Sequence, residues 1–288
     1  MTAILRRHGP WLLAGAAILL LTGLVGWPTL CWMEERFTAP DSFYSHGWLV
    51  PLASVWLAWQ RRDALSRTAL TPSWRGLFLL VPSLLLHAAA VRWHIGFVAG
   101  FALIAAVWGL VWTWWGGDAL RRLRFPLLFL LFMVPLPGVL LLATSFQMKL
   151  MAARMASALL TVMGIPAHQA GSTIQLPGLN VVVDDTCSGL RSLISLIALA
   201  TLWVEFLPAE TRRWQRAAVL ASSFPIALTA NMVRIVLLSL IALIYGPQAA
   251  EGFIHFGSGL VVFGVALLAL TWVSRSIQQW PTSSTTPV

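Results

Sequence analysis

Stretches of about 18 or more nearly uncharged residues recur along the whole chain. An α-helix of about this length crosses the hydrocarbon core of a bilayer. Only 10% of the residues are charged, whereas an ordinary soluble domain carries roughly 25%. These features exclude a soluble globular domain and predict an all-α, polytopic membrane helical bundle.

Eight apolar stretches are candidate transmembrane helices, although the second is short and the seventh is long. Arg6 and Arg7 precede the first stretch, but it has no small-residue cleavage site, so we expect an anchor rather than a signal peptide. We predict one integral membrane domain over residues 1–275 and a disordered cytoplasmic tail over 276–288. The predicted spans are 11–28, 46–60, 76–92, 96–115, 124–142, 188–206, 217–244 and 255–273.

Arginine residues in alternate loops orient these helices. With eight spans, 13 of the 19 basic residues fall on one side of the membrane, and the positive-inside rule makes that side the cytoplasm. We therefore expect both termini in the cytoplasm, and we attribute the net charge of +9 to topology rather than to nucleic-acid binding. The 13 residues are Arg6, Arg7, Arg61, Arg62, Arg67, Arg75, Arg121, Arg122, Arg124, Arg212, Arg213, Arg216 and Arg275.

The segment between the fifth and sixth spans is expected on the outer side. Residues 141–164 are apolar but include Lys149 and Arg154, which favours an interfacial amphipathic or re-entrant helix over a ninth span. Residues 165–185 are rich in Gly, Pro and β-branched residues and predict a short extended segment or a hairpin. This segment leads to Cys187.

Three polar residues lie where a bilayer disfavours them. Cys187 opens the sixth span, Arg234 lies inside the seventh and His255 opens the eighth. In the eight-span topology all three can converge near the outer membrane surface. Asn231 lies three residues before Arg234 and shares its helix face, and Arg191 lies one turn after Cys187.

These residue types suit acyl transfer. The thiolate is the nucleophilic form of cysteine, and a helix N-terminus lowers the pKa of a thiol. A neighbouring histidine can take the thiol proton, and an arginine can hold a carbonyl oxygen or stabilise an oxyanion. Cys187, His255 and Arg234 therefore form a candidate catalytic set.

Each member of this set also has a structural alternative. Cys187 could be a packing residue or a disulfide partner of Cys31, and His255 could be an interfacial residue. An intramembrane arginine is a functional candidate by default, but Arg234 could instead pair with an acidic residue for folding. The acidic candidates are Asp184, Asp185 and Glu251.

The remaining polar residues suggest no second active site. Asp184 and Asp185 are expected to form a solvated pair or to orient His255 or Arg191. The chain has no motif for a metal, a nucleotide or another cofactor, so none is expected. The other histidines are interpreted as structural, and they are His46, His87, His94 and His168.

The segments TCSGLRSL, ANMVR and HFGSG resemble, in order and spacing, the three signature blocks of the exosortase/archaeosortase family. Upstream, YSHGWLVPLAS, PLPG and the segment before the cysteine resemble the same family's flanking pattern. The resemblance covers about residues 40–270. It implies a membrane-embedded cysteine transpeptidase in the inner membrane of a Gram-negative bacterium, and the predicted topology makes its active site face the periplasm.

The resemblance also implies substrates and residue roles. The substrates are exported proteins with a C-terminal tripartite signal, which consists of a Pro-Glu-Pro-type motif, one transmembrane helix and a basic tail. They would reach the enzyme through the lipid, be passed to an acceptor that the sequence does not identify, and often serve exopolysaccharide production. Cys187 matches the nucleophile, Arg234 the essential arginine and His255 the third member. The supporting residues are Asn231, Arg191, Ser188 and Asp185.

Two other classes of function compete with this one. In a non-enzymatic transporter or polysaccharide-export component, Arg234 and Arg191 would line a path for an anionic substrate and Cys187 would be incidental. A glycosyl or lipid-linked transferase would need catalysts at a lipid-phosphate site, and the outer acidic residues are not arranged as one. Replacement of Cys187 by serine separates the first alternative from an enzyme.

Overall fold

The computed structural model describes residue 20 and residues 22–40, 42–183, 188–250 and 253–279. For residue 250 and residues 253–256 it describes the backbone alone. The described chain is helical apart from one small sheet, which confirms the predicted all-α class. It forms two compact units, Met1–Pro137 and Gly138–Val288.

The first unit contains five helices in its described part. These are α1 (residues 22–38), α2 (Leu49–Gln60), α3 (Arg62–Ser66), α4 (Leu77–Arg92) and α5 (Gly96–Phe129). The described part of the second unit contains four helices and three strands. These are α6 (Gly138–Val162), β1 (His168–Ala170), β2 (Thr173–Leu176), β3 (Leu179–Val182), α7 (Leu190–Glu205), α8 (Arg213–Tyr245) and α9 (Phe253–Gln279).

Five helical segments in the described chain are long and apolar enough to cross a membrane. Together with the composition, they identify a membrane protein. One of the five is α6, which we expected at the interface, so its place in the bilayer and the total of eight spans stay predictions. The five segments are Trp74–Arg92, Gly96–Met133, Gly138–Val162, Arg213–Tyr245 and Gly257–Gln279.

The long helix α5 is broken at Gly116. This glycine has φ 85° and ψ 177°, a conformation that essentially only glycine adopts. A single hydrophobic cluster contains Val111 from before the break and Leu123 and Leu127 from after it. On a straight helix these positions would be about 18 Å or more apart. The chain therefore folds back at Gly116, as expected for the predicted fourth and fifth spans.

The predicted fifth span, residues 124–142, is not continuous. The helical segment ends at Met133 and α6 begins at Gly138. The interruption coincides with Pro135 and Pro137, because proline lacks the N–H of a helical hydrogen bond and disfavours helical geometry in the residue before it. The boundary of the fifth span was therefore wrong, and the prolines were the signal that should have placed it.

Helices α7, α8 and α9 form an antiparallel trio in the second unit. At one end, Trp203 Nε1 donates a hydrogen bond to Ser274 Oγ (3.0 Å) and Gln215 Nε2 donates to the Ile277 carbonyl (2.9 Å). Since the three helices alternate in direction, the first residues of α7 and of α9 lie at the opposite end of the trio. Helix α9 continues to Gln279, so the first four residues of the predicted disordered tail are helical.

The small sheet and α6 cover part of α8. The strands have the order β1-β2-β3, and every pairing is antiparallel, which confirms the predicted hairpin. Ile174 of β2 is fully buried and shares a core with Leu160 of α6 and Ile235 of α8. Val183 donates its N–H to the Ser172 carbonyl (2.9 Å) and is also buried. The core thus fixes the chain four residues before Cys187.

Candidate active site

The start of α7 packs against the middle of α8. Gly189, the residue that precedes α7, has φ 79° and ψ −4°, a left-handed conformation that favours glycine. A Cβ atom at this position would lie 3.0 Å from Cβ and Cγ of Asn231. Ser188 is buried, and its Oγ accepts a hydrogen bond from the Leu190 N–H (3.3 Å). Both Ser188 and Asn231 were predicted as supporting residues, and the structure places them in one region.

Arg234 links α8 to the start of α9. Its side chain is 9% exposed, and its Nε donates a hydrogen bond to Ser258 Oγ (3.3 Å). A Cβ atom on Gly259 would lie 3.5 Å from Cζ of Arg234, so the guanidinium lies against the backbone of α9. Arg234 is therefore held at a fixed place rather than extended toward solvent.

A narrow cavity of about 10 Å³ lies beside Arg234, which is room for about one water molecule. Arg234 and Asn231 supply its charged and amide groups. Because all three helices of the trio contribute, the cavity depends on their packing. Its lining is Ser192, Leu196, Ala227, Ala230, Asn231, Arg234, Gly259, Val262, Phe263 and Ala266.

Arg234 lies 11 residues before the C-terminal end of α8 at Tyr245. At 1.5 Å per residue this is a distance of about 16 Å along the helix axis. The same level of α8 meets the first turns of α7 and α9, as the contacts of Asn231 with Gly189 and of Arg234 with Ser258 show. The three signature segments of the sequence therefore meet at one end of the trio.

The remaining predicted site residues are placed less completely. Cys187, Asp184 and Asp185 lie outside the described residues. His255 lies in the first turn of α9, three residues before Ser258, and its side chain is outside the description. Arg191 is partly buried in the first turn of α7, and among the described residues Ser192 rather than Arg191 lines the cavity.

The structural alternatives for Cys187 and Arg234 involve Cys31 and three acidic residues. Cys31, half-buried in α1, is a free thiol in the structure. The acidic residues considered as partners of Arg234 are outside the described chain. Those residues are Asp184, Asp185 and Glu251.

Sequence reasoning missed Gly189, Ser192, Ser258 and Gly259. Gly189 and Ser192 lie in the segment TCSGLRSL, and Ser258 and Gly259 lie in HFGSG. Small residues beside a candidate catalytic residue are a signal for close approach of another helix. Which helix approaches could be learned only from the structure.

An aromatic pair lies in the first unit, in the turn before α2. Tyr44 is buried and His46 is half-buried, and their rings stack with centroids 5.8 Å apart. The Leu136 N–H donates to Tyr44 Oη (3.2 Å). Burial raises the pKa of Tyr44, although the hydrogen bond from Leu136 partly offsets this effect. Tyr44 thus holds Leu136 to the turn.

The sequence model of one family, described as transmembrane exosortase (Exosortase_EpsH), matches residues 32–272. No curated protein and no solved structure matches the chain. The matched range includes all three segments that meet beside Arg234.

Proposed function

Because the chain belongs to the transmembrane exosortase family, whose members are membrane sorting transpeptidases, we propose that it cleaves a C-terminal sorting signal from exported proteins. The signal would have a Pro-Glu-Pro-type motif, one transmembrane helix and a basic tail. The cleaved protein would then pass to an acceptor, in a process linked to exopolysaccharide production. The meeting of the three signature segments beside Arg234 is the observation that supports this proposal.

The proposed chemistry begins with Cys187. Its thiol gives a proton to His255, and the thiolate attacks the carbonyl carbon of the scissile peptide bond. A tetrahedral intermediate forms, with negative charge on the former carbonyl oxygen. When it collapses, the C–N bond breaks, His255 returns the proton to the leaving amine, and a thioester remains on Cys187. An acceptor nucleophile then attacks the thioester and releases the thiol.

Arg234 is proposed to stabilise the tetrahedral intermediate. A preorganised donor aimed at a developing oxyanion in a site of low dielectric constant is worth several kcal/mol. Arg234 has the permanent charge and the restricted position that this role requires. Ser258 acts as a positioning residue, since it accepts a hydrogen bond from the Nε edge of the guanidinium. Asn231 positions the start of α7 through its packing on Gly189.

The arginine-rich loops support a periplasmic location for this chemistry. By the positive-inside rule we expect both termini in the cytoplasm and the first residues of α7 and α9 near the outer face of the inner membrane. A cleavage site just outside the substrate's transmembrane helix would lie at the same level. The substrate's basic tail would stay in the cytoplasm during the reaction.

Among the described residues, the surroundings of Arg234 give the transporter alternative no support. A path for an anionic solute needs a polar channel, whereas the cavity beside Arg234 has room for about one water molecule. The larger groove that adjoins it is lined mainly by apolar side chains. Arg234 is also bonded to Ser258 rather than directed into an open conduit.

The test is the effect of Cys187→Ala on processing of a co-expressed membrane protein with a tripartite C-terminal signal. We expect the wild-type enzyme to give a shortened product and the variant to give none, because alanine cannot form the thioester. Immunoblotting of an N-terminal tag on the substrate measures the product. A blot of the enzyme in the membrane fraction shows whether the variant accumulates normally.

Cys31→Ala is the matched control, because it removes the other thiol of the chain. We expect this variant to process the substrate like the wild type. Full processing by Cys187→Ala would contradict the assignment of the nucleophile. Loss of processing in both variants, with a mapped bond between the two cysteines, would favour the structural disulfide.

A further inference from the structure

An apolar groove of about 430 Å³ runs along the contact between α8 and α9. Its walls include side chains that are exposed on the surface of the second unit: Val233 (41%), Leu237 (45%) and Val265 (57%). Both helices are long and apolar enough to cross a membrane, so the groove opens toward the region that lipid tails or another membrane helix would occupy.

The groove adjoins the cavity beside Arg234. Ala230, Val262 and Ala266 line both of them. Along α8 the groove extends from Pro225 to Leu237, a rise of about 18 Å, and Arg234 lies near one end of this range. An occupant of the groove would therefore have one end beside the arginine and would extend about three turns along α8.

Small residues line the floor of the groove. Ala230 lies on α8, and Ala266 and Ala269 lie on α9. Small side chains let the backbone of a third helix approach closely, which is how transmembrane helices gain packing energy in lipid. Thr229 adds a hydroxyl group to the wall, and such groups can bond across helix interfaces.

We propose that this groove binds the transmembrane helix of the sorting signal, with the substrate's cleavage site at the Arg234 end. The inference rests on the proposed function and adds the surface that recognises the substrate. Docking along α8 and α9 fixes the height of the substrate in the bilayer, so the peptide bond just outside its helix meets the first turns of α7 and α9. The position of the groove thus determines which peptide bond of the substrate is cleaved.

A helix fits the groove better than the other two candidate occupants. A lipid acyl chain gains little from a floor of small residues, whereas such a floor allows the close approach of a helix backbone. A second copy of this chain would cover the groove, which under the proposed function the substrate must reach. Both alternatives remain distinguishable outcomes of the experiment below.

The experiment places the photoreactive residue p-benzoylphenylalanine at Val265, in the Cys187→Ala enzyme that holds its substrate uncleaved. Leu268 is the matched control position, because it is 70% exposed on the same helix and does not line the groove. After irradiation of membranes that also contain the tripartite substrate, we expect an enzyme–substrate adduct from position 265 and little or none from position 268. Mass spectrometry should place the adduct in the substrate's transmembrane helix.

A second measurement uses an enzyme with intact Cys187. Ala269→Trp fills the groove, and Leu268→Trp adds the same indole outside it. We expect Ala269→Trp to lower the processing rate per membrane-inserted enzyme about tenfold, the factor for 1.4 kcal/mol, and Leu268→Trp to leave it unchanged.

These results distinguish a failure of the docking proposal from a failure of the proposed function. Absence of processing by the wild type would refute the proposed function itself. If the wild type processes its substrate but position 265 captures only phospholipid, only a second enzyme copy, or no more substrate than position 268, the groove is not the docking site. Equal processing by both tryptophan variants would lead to the same conclusion.

Discussion

Arg234 combines a permanent charge with nearly complete burial and a polar contact on the neighbouring helix. Its exposure is 9%, and Ser258 accepts its Nε hydrogen bond. A charge at this depth in a membrane protein costs at least a few kcal/mol on the insertion scale. A structural arginine and a catalytic arginine can both recover this cost through polar contacts, so substitutions of Arg234 are needed to distinguish the two roles.

We expect Arg234→Lys to insert normally but to lower processing about a hundredfold, equivalent to roughly 3 kcal/mol. A lysine ammonium lacks the planar fork that can engage Ser258 and a substrate oxygen together. The measurement is cleaved substrate per unit of membrane-inserted enzyme. Arg234→Ala should be at least as inactive. Near-normal specific activity of the lysine variant, with poor accumulation of the alanine variant, would assign Arg234 to folding instead.

At the level of single residues, the sequence predicts the candidate site residues better than it predicts the residues that contact them. Arg234 could be found because an arginine is conspicuous in an apolar helix, and Asn231 because it lies one turn away. Ser258 could not be found in this way, since serine is tolerated in many membrane helices. Its role depends on the register between α8 and α9, which is a property of packing rather than of either helix alone.

The turn in α5 is the clearest case of one residue determining an element. Ala at position 116 would need a backbone conformation that costs about 1–3 kcal/mol for a residue with a side chain. Its Cβ would also overlap the carbonyl oxygen of Thr71. We expect Gly116→Ala to lower the membrane level and the thermal stability of the protein. Gly117 provides a close control, because a Cβ there would meet only Trp112 Nε1, at 3.7 Å.

Gly117→Ala should leave stability unchanged or raise it slightly, because alanine has the higher helix propensity by roughly 0.5–1 kcal/mol. Thermal unfolding and immunoblots of membrane fractions compare the two variants. Equal stability of both proteins would mean that the chain reverses without help from the special backbone of Gly116. In that case the hydrophobic cluster of Val111, Leu123 and Leu127 would be sufficient.

The elements themselves were predicted with uneven success. Apolar length predicted the existence of the long helices, but it could not distinguish a continuous apolar stretch from one interrupted by Pro135 and Pro137. The hairpin of β2 and β3 could be predicted from the Pro177–Gly178 turn and its β-branched flanks. The third strand was not predicted, although Gly171 and Ser172, the two residues between β1 and β2, are also typical of a tight hairpin turn.

For the whole molecule, the proposed topology makes a direct prediction. A Cys31→Ala protein retains Cys187 as its single thiol, and this thiol should react with a membrane-impermeant maleimide added to the periplasmic side. A reporter that is active in the cytoplasm, fused after Val288, should be active. Labelling of Cys187 only after the cytoplasm is opened would invert the topology and separate the proposed site from its substrate.

The described chain divides into two compact units, residues 1–137 and 138–288, and the single integral membrane domain stays a prediction. The candidate site residues Cys187, Arg234 and His255 all lie in the second unit. Substitutions in the first unit should therefore act on accumulation and stability more than on the chemistry.

The junction between the units also has a practical value. Leu136 is tied to the first unit by its bond to Tyr44, and α6 begins at Gly138, where an added Cβ would meet nothing within 4 Å. A peptide inserted between Pro137 and Gly138 would interrupt neither a helix nor a hydrogen bond described for the chain, and junctions of this kind tolerate insertions best. An internal epitope or a fluorescent label placed there would report on the protein in living cells while the unit that contains the candidate site stays unaltered.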